Sequence, residues 1–166
     1  MGIPPLARAI ELEILPYCRG KGIGVIGYMA LWQGVLSGAY RSLDDIPVQQ
    51  RRTRHFDSRR TPLIRHGLRG AEAQTIQALA AIRRIAEANG MSMAQVSLKW
   101  AMAGEGIVSS LCGARAVKKL RENLEAAESP LPPQIIAELN EATQPLLEAL
   151  GPSFDYWEHP DNDRTR

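Results

Sequence analysis

Residues 109–124, SSLCGARAVKKLRENL, pass from a short apolar run through Gly113 and Ala114 into a basic pattern in which Arg115, Lys119 and Asn123 recur every fourth residue. That spacing sets the three side chains on one face of a helix. Arg115 offers a planar fork for phosphate and a surface that stacks on adenine, and Lys119 adds a point charge. Asn123, aided by Glu122, can hydrogen-bond the exocyclic amine of adenine. In α/β folds anions bind beyond the carboxyl end of a strand, where helix N-termini present free N–H groups. The set suits the adenosine end of a phosphorylated dinucleotide. It also suits a solvated basic helix face, and spacing alone does not separate the two readings.

Other chemistry-bearing residues are scattered. Residues 51–69, RRTRHFDSRRTPLIRHGLR, hold seven arginines against one acid, Asp57. Nucleic acid needs such charge, but the run has no recognition motif and no aromatic beyond Phe56. It reads as a cofactor-covering or a solvated loop, so a nucleic-acid partner is not expected. His55 and His66 in this run, and His159 in the tail, read as surface residues. Cys18 and Cys112 fit no metal or redox spacing and read as buried small hydrophobes in a reducing cytoplasm. The residues offer no metal site. Trp100, Met91, Met93 and Met102 read as packing, whereas Trp32 falls in a segment that would border the site.

The elements that must position these groups alternate between helix and strand. Apolar spacing predicts a helix over 10–19, stopped by Gly20 and Gly22. IGVIGY (23–28) and IVSSLC (107–112) read as buried strands. Helices are expected over 71–89 with Gly90 as its stop, from the Ser92 and Gln95 capping box through Trp100, over 116–126, and from Pro133 towards Leu150 with a kink at Pro145. Between Leu31 and Arg69 nothing is periodic. A connection that long is functional, mobile or both.

Composition bounds the classes. The chain has 166 residues, is 45% hydrophobic and carries a formal charge of +2, enough for one domain with a core and too little for a global field. No apolar stretch reaches the roughly 18 residues of a membrane span, and no signal-peptide or myristoylation pattern opens the chain. The βα rhythm implies a parallel sheet. Two strands alone leave edges unpaired, so a further strand, a partner chain or a larger whole is expected.

EILPYCRGKGIGVIGYMALWQGVLSGAY (13–40), DDIPVQQRRTRHF, MSMAQVSLKW, GARAVKKLRENL and the tail DYWEHPDNDRTR resemble, in order, the C-terminal half of the aldo-keto reductase family. The resemblance implies an α/β fold that is part of a (β/α)8 TIM barrel, its C-terminal half with strands seven and eight and their helices. Residues 1–166 would then be a single segment of an NADP-dependent oxidoreductase, with 41–70 a long Arg-rich loop inside it. Residues 3–6, IPPL, match the end of strand six. Tyr28 matches the aromatic that stacks on nicotinamide. Leu31, Gln33, Gly34 and Leu36 match the loop that wraps the pyrophosphate, with Tyr40 at its end. Gly113, Arg115 and Asn123 match the 2′-phosphate and adenine site, Ala114 and Glu122 lie within it, and Lys119 replaces a Gln. Met29 stands where the family has Ser, Ala39 where it often has Lys, and Pro4 where an Asn supports the carboxamide. The implied cofactor is NADP(H), in a weak or partial site.

The family's catalytic Asp, Tyr, Lys and His lie upstream of everything matched, so no catalytic residue is assigned. Three functions follow. The chain carries the NADP(H)-binding half of a carbonyl-reducing enzyme; or it is a non-catalytic half-barrel that oligomerises; or it is an interaction protein acting through the basic loop. The expected partners are NADP(H) and either a second copy or a complementing barrel half, with no membrane.

Overall fold

The computed structural model describes residues 6–164, so of the predicted end of strand six at 3–6 the first three residues, Pro4 included, lie outside them, and Leu6 is a buried turn residue. Strands β1 (Val25–Tyr28) and β2 (Ile107–Leu111) form a parallel two-stranded sheet that pairs Val25 with Ile107 and Tyr28 with Leu111. Both strands form where the sequence reading put them, β1 beginning two residues later and β2 ending one residue earlier. They are not the buried strands expected: Ile26 and Tyr28 of β1 are exposed and no residue of β2 is buried, because no further strand or helix among the described residues covers this face of the sheet. Gly22, at φ 66°, turns the chain out of the preceding helix, and the Ile23 N–H closes on Cys18 O at 2.8 Å. A Cβ at Gly24 would lie 2.7 Å from a methyl of Val108, so a side chain there would push the strands apart.

Helix α1 (Ile14–Gly20) is shorter than predicted, and a separate 3-10 turn occupies Arg8–Glu11. Pro16 is the reason: it has no N–H and its ring crowds the carbonyl four residues back, so a helix cannot run through it from residue 10. Helices α2 (Glu72–Ala88) and α3 (Met93–Met102) connect the strands, while α4 (Val117–Glu128) and α5 (Pro133–Leu150) follow β2. The capping box forms as read, with Ser92 Oγ accepting from Gln95 N at 3.1 Å and Gln95 Oε1 from Ser92 N at 2.9 Å. Ala78, Ile82 and Ile85 of α2 join Leu139, Leu146 and Leu147 of α5 in the main core. Among the described residues no helix is long and apolar enough to cross a membrane.

The segment from Leu31 to Arg69 corrects the sequence reading most. Short 3-10 turns at Trp32–Ser37, Leu43–Asp45, Val48–Gln50 and Ser58–Arg60 fold it onto the body. Trp32, Leu36, Leu43, Ile46 and Phe56 drop into the main core, so Trp32 is a packing residue. His55 and His66 are not surface residues; each is 1% exposed. His55 Nδ1 accepts from the Thr53 hydroxyl at 3.0 Å, and its ring meets Trp32 at 4.4 Å and Tyr156 at 5.5 Å. Cys18 and Cys112 are half-buried free thiols.

Apolar side chains stay exposed on the sheet and on α4. Ile26, Tyr28, Val108 and Leu111 are exposed on the sheet, Val108 by 67%. On α4 the stripe Val117, Leu120 and Leu124 is exposed too, and only Ala126 of that helix is buried.

Candidate functional site

Both strands end at one cleft of about 770 Å³. Its first wall follows β1. Met29, Trp32 and Gln33 there hold left-handed backbone (φ 62°, 44° and 54°), and Gly34 follows at 94°. Such conformations cost about 1–3 kcal/mol each in non-glycine residues and persist only where the surroundings impose them. The imposing contacts are visible: Trp32, Val35 and Leu36 are buried anchors, and the Trp32, Gly34 and Leu36 N–H groups fold back onto Met29 O and Leu31 O at 2.6–3.1 Å. Side chains point inward at these anchors, and Leu31, Gln33 and Gly34 border the cleft.

The second wall follows β2. Leu111, Cys112, Gly113, Ala114 and Arg115 lead to the start of α4, and Lys119, Glu122 and Asn123 continue along it. Ala116 is the N-cap of α4 and supplies no side-chain cap. The first-turn N–H groups therefore have no side-chain acceptor, as an anion site requires. Lys119 Nζ pairs with Glu122 Oε2 at 2.8 Å, which holds the Glu122 carboxyl below the usual carboxylate range. Asn123 Nδ2 donates to Cys112 Sγ at 3.3 Å, and burial pushes the Cys112 thiol up. Arg115 is exposed and has no hydrogen bond or ion pair with the described residues.

Nine of the eleven residues singled out from sequence line this cleft: Leu31, Gln33, Gly34, Gly113, Ala114, Arg115, Lys119, Glu122 and Asn123. The other two do not. Leu36 is wholly buried as the anchor of the first wall. Tyr28, 39% exposed, borders a small neighbouring hollow with Trp32, His55 and Tyr156. Met29 borders both spaces, so Tyr28 lies beside the cleft. The sequence reading missed Gln49, Gln50 and Arg52 from the Arg-rich loop, and Ser92 and Gln95 at the N-terminus of α3. The capping box signalled where α3 starts and gave no sign that its start faces the same space as α4. Among the described residues, no three His, Cys, Asp or Glu side chains converge to hold a metal ion.

The aldo/keto reductase family model matches residues 2–144. An aldo-keto reductase of Schizosaccharomyces pombe, yakc [NADP(+)], is 30% identical over 132 residues, which are 80% of this chain and 36% of that protein. An L-glyceraldehyde 3-phosphate reductase of Escherichia coli O157:H7 is 33% identical over 115 residues, 68% of this chain and 31% of that protein. The chain thus spans about a third of the length of these relatives. A solved glycerol dehydrogenase of Gluconobacter oxydans, AKR11B4, superposes with a TM-score of 0.63 at 22% identity, over 91% of this chain and 42% of that one. That likeness shows a shared fold.

Proposed function

Because the chain belongs to the aldo/keto reductase family, we propose that it carries the NADP(H)-binding half of a carbonyl-reducing oxidoreductase. On this reading β1 and β2 are strands seven and eight of a (β/α)8 barrel, and residues 1–166 form one segment with the Arg-rich loop 41–70 inside it. One observation carries the proposal. Two segments far apart in the chain, 29–40 and 111–123, meet at a single cleft lined by three cations, Arg52, Arg115 and Lys119, and one carboxylate, Glu122.

The cleft fits the cofactor. Its volume lies within the range of about 300–1,000 Å³ usual for small-molecule sites. Arg115 forks the 2′-phosphate, Lys119 adds charge, and the uncapped start of α4 points N–H groups at the same anion. Asn123, whose Nδ2 is held by Cys112, presents Oδ1 to the adenine amine. The backbone of Leu31, Gln33 and Gly34 wraps the pyrophosphate, with Leu36 buried beneath them as an anchor, and Tyr28 stacks at the nicotinamide end. When bound, NADP(H) supplies the hydride. Met29 and Ala39 provide no hydroxyl or ammonium there, so the site is weak. The chain's own residues hold the cofactor and supply no Asp, Tyr, Lys and His set to protonate a carbonyl.

The exposed apolar residues favour a second reading, a non-catalytic half-barrel that assembles. Ile26, Tyr28, Val108 and Leu111 are large apolar side chains left exposed on the sheet, of a kind normally covered by a partner. A second copy or a complementing barrel half would cover it. The reading as a basic interaction protein loses its free charge, since most arginines of the loop pair within the chain.

Titration of the purified chain with NADP, followed by carbonyl-dependent NADPH oxidation, tests the proposal. Binding without turnover is the expected result. Turnover would assign catalysis to this chain, and absence of binding would leave the assembly reading.

A further inference from the structure

Helix α2 borders a second space, a groove of about 420 Å³ between it and the 40–46 segment. Ile76, Ala80, Arg84 and Glu87 line it and recur every three or four residues, so they share one face of the helix. Another face, carrying Ala78, Ile82 and Ile85, is buried in the main core. Val35, Leu43, Ile46 and Met93 also line the groove and are buried, whereas Ile76 is 51% exposed. Tyr40 is the one described residue that lines both this groove and the cleft, so the two are separate spaces.

Charge around the groove is unevenly neutralised. Arg60 pairs with Asp44 and Glu72. Arg83 donates to Gly38 O at 3.3 Å and to Tyr40 O at 2.9 Å, neither of them an anion. The guanidinium groups of Arg41 and Arg84 are exposed and have no hydrogen bond or ion pair with the described residues. Three guanidinium charges without a carboxylate partner therefore line the groove against one free carboxylate, Glu87. The Arg83 bond to Tyr40 O also sets the geometry, because it brings the backbone that carries Arg41 alongside α2 where Arg84 follows. Ile76 lies about two turns earlier, roughly 11 Å along the helix axis. One end of the groove is thus basic and the other apolar.

We propose that this groove binds an amphipathic monocarboxylate, a medium-chain fatty acid, with its carboxylate at Arg41 and Arg84 and its chain along Ile76, Leu79 and Leu43. A guanidinium fork matches the two oxygens of a carboxylate, and a space of this volume lies within the range of small-molecule sites. The chain covers Ile76, which the fold leaves half in water. A singly charged head group fits better than a phosphate. The basic end lies near the C-terminus of α2, where the helix dipole and Glu87 both reduce the positive field.

Calorimetric titration tests the site with octanoate, with octan-1-ol, which keeps the chain and lacks the charge, and with acetate, which keeps the charge and lacks the chain. The wild type should bind octanoate more tightly than either. Arg41→Ala and Arg84→Ala should each weaken octanoate by roughly three- to tenfold, and Ile76→Ser by roughly threefold. These three side chains are exposed, so the variants should keep the wild-type melting temperature. Arg69→Ala, which removes an equal charge lining neither space, should change nothing. A wild type that binds no octanoate overturns the proposal, as does equal binding of octan-1-ol or of acetate. Loss of octanoate binding in Arg115→Ala with none in Arg84→Ala would put the carboxylate in the cleft and also overturn it. Sedimentation should be unchanged by saturating octanoate; dissociation of an oligomer would give the groove to a second copy of the chain instead.

Discussion

The Nε2–H of His55 donates to the backbone carbonyl of Leu6 at 2.9 Å, inside the protein. One neutral imidazole thereby ties the Arg-rich loop to the start of the described chain. Burial holds His55 down at about 4, with the Leu6 hydrogen bond opposing that shift and the Arg54 charge adding to it.

That linkage gives the fold a pH dependence. The folded value lies below the unfolded one of about 6.5, so the unfolded chain binds the proton more readily. The stability contributed by neutral His55 is fully present above about pH 6.5 and is lost as pH falls towards 4. The loss amounts to about 3 kcal/mol, and buried His66 shifts in the same direction. Urea midpoints at pH 7 and 4.5 should differ markedly for the wild type and much less for His55→Gln. An equal drop in both would remove His55 from the account.

Gly70 should be irreplaceable where Gly67 is not. Both hold φ 69°, but a Cβ at Gly70 would lie 2.2 Å from Phe56 O, while nothing approaches one at Gly67. Gly67→Ala should cost about 1–2 kcal/mol, the price of the left-handed backbone alone. Gly70→Ala should cost several times more, read as the shift in the denaturation midpoint. Equal losses would contradict the close packing of the loop.

Parts of this architecture were legible in the sequence. The apolar periodicity of α2, the Ser92 and Gln95 box of α3 and the β-branched runs of both strands are local signals, and local backbone preferences satisfied them. The loop was not legible. Its anchors Trp32, Leu36, Leu43, Ile46 and Phe56 follow no period, because each is buried by distant elements rather than by its own repeat. His55 and His66 looked solvated because their burial depends on residues such as Leu6 and Thr53 reaching them in three dimensions. At the site, Arg115, Lys119 and Asn123 could be read from helical spacing. Arg52 could not, being one arginine among seven until the structure showed which of them were already paired.

The open sheet and the α4 stripe should make the chain associate. Sedimentation at micromolar concentration should show a dimer or larger species, and Leu120→Lys, which places a charge in the middle of the stripe, should shift it towards monomer. A well-folded wild-type monomer would mean that these faces tolerate water.

The most direct test of the cofactor reading is calorimetry of the wild type and Arg115→Ala with NADP and with NAD. A charge-assisted contact to phosphate is worth about 1.5–3 kcal/mol, so Arg115→Ala should weaken NADP by roughly ten- to a hundredfold. NAD, which has no 2′-phosphate, should lose far less, and the wild type should prefer NADP. Equal losses for both nucleotides would make Arg115 a support of the fold, and binding of neither by the wild type would return the α4 face to ordinary solvated charge.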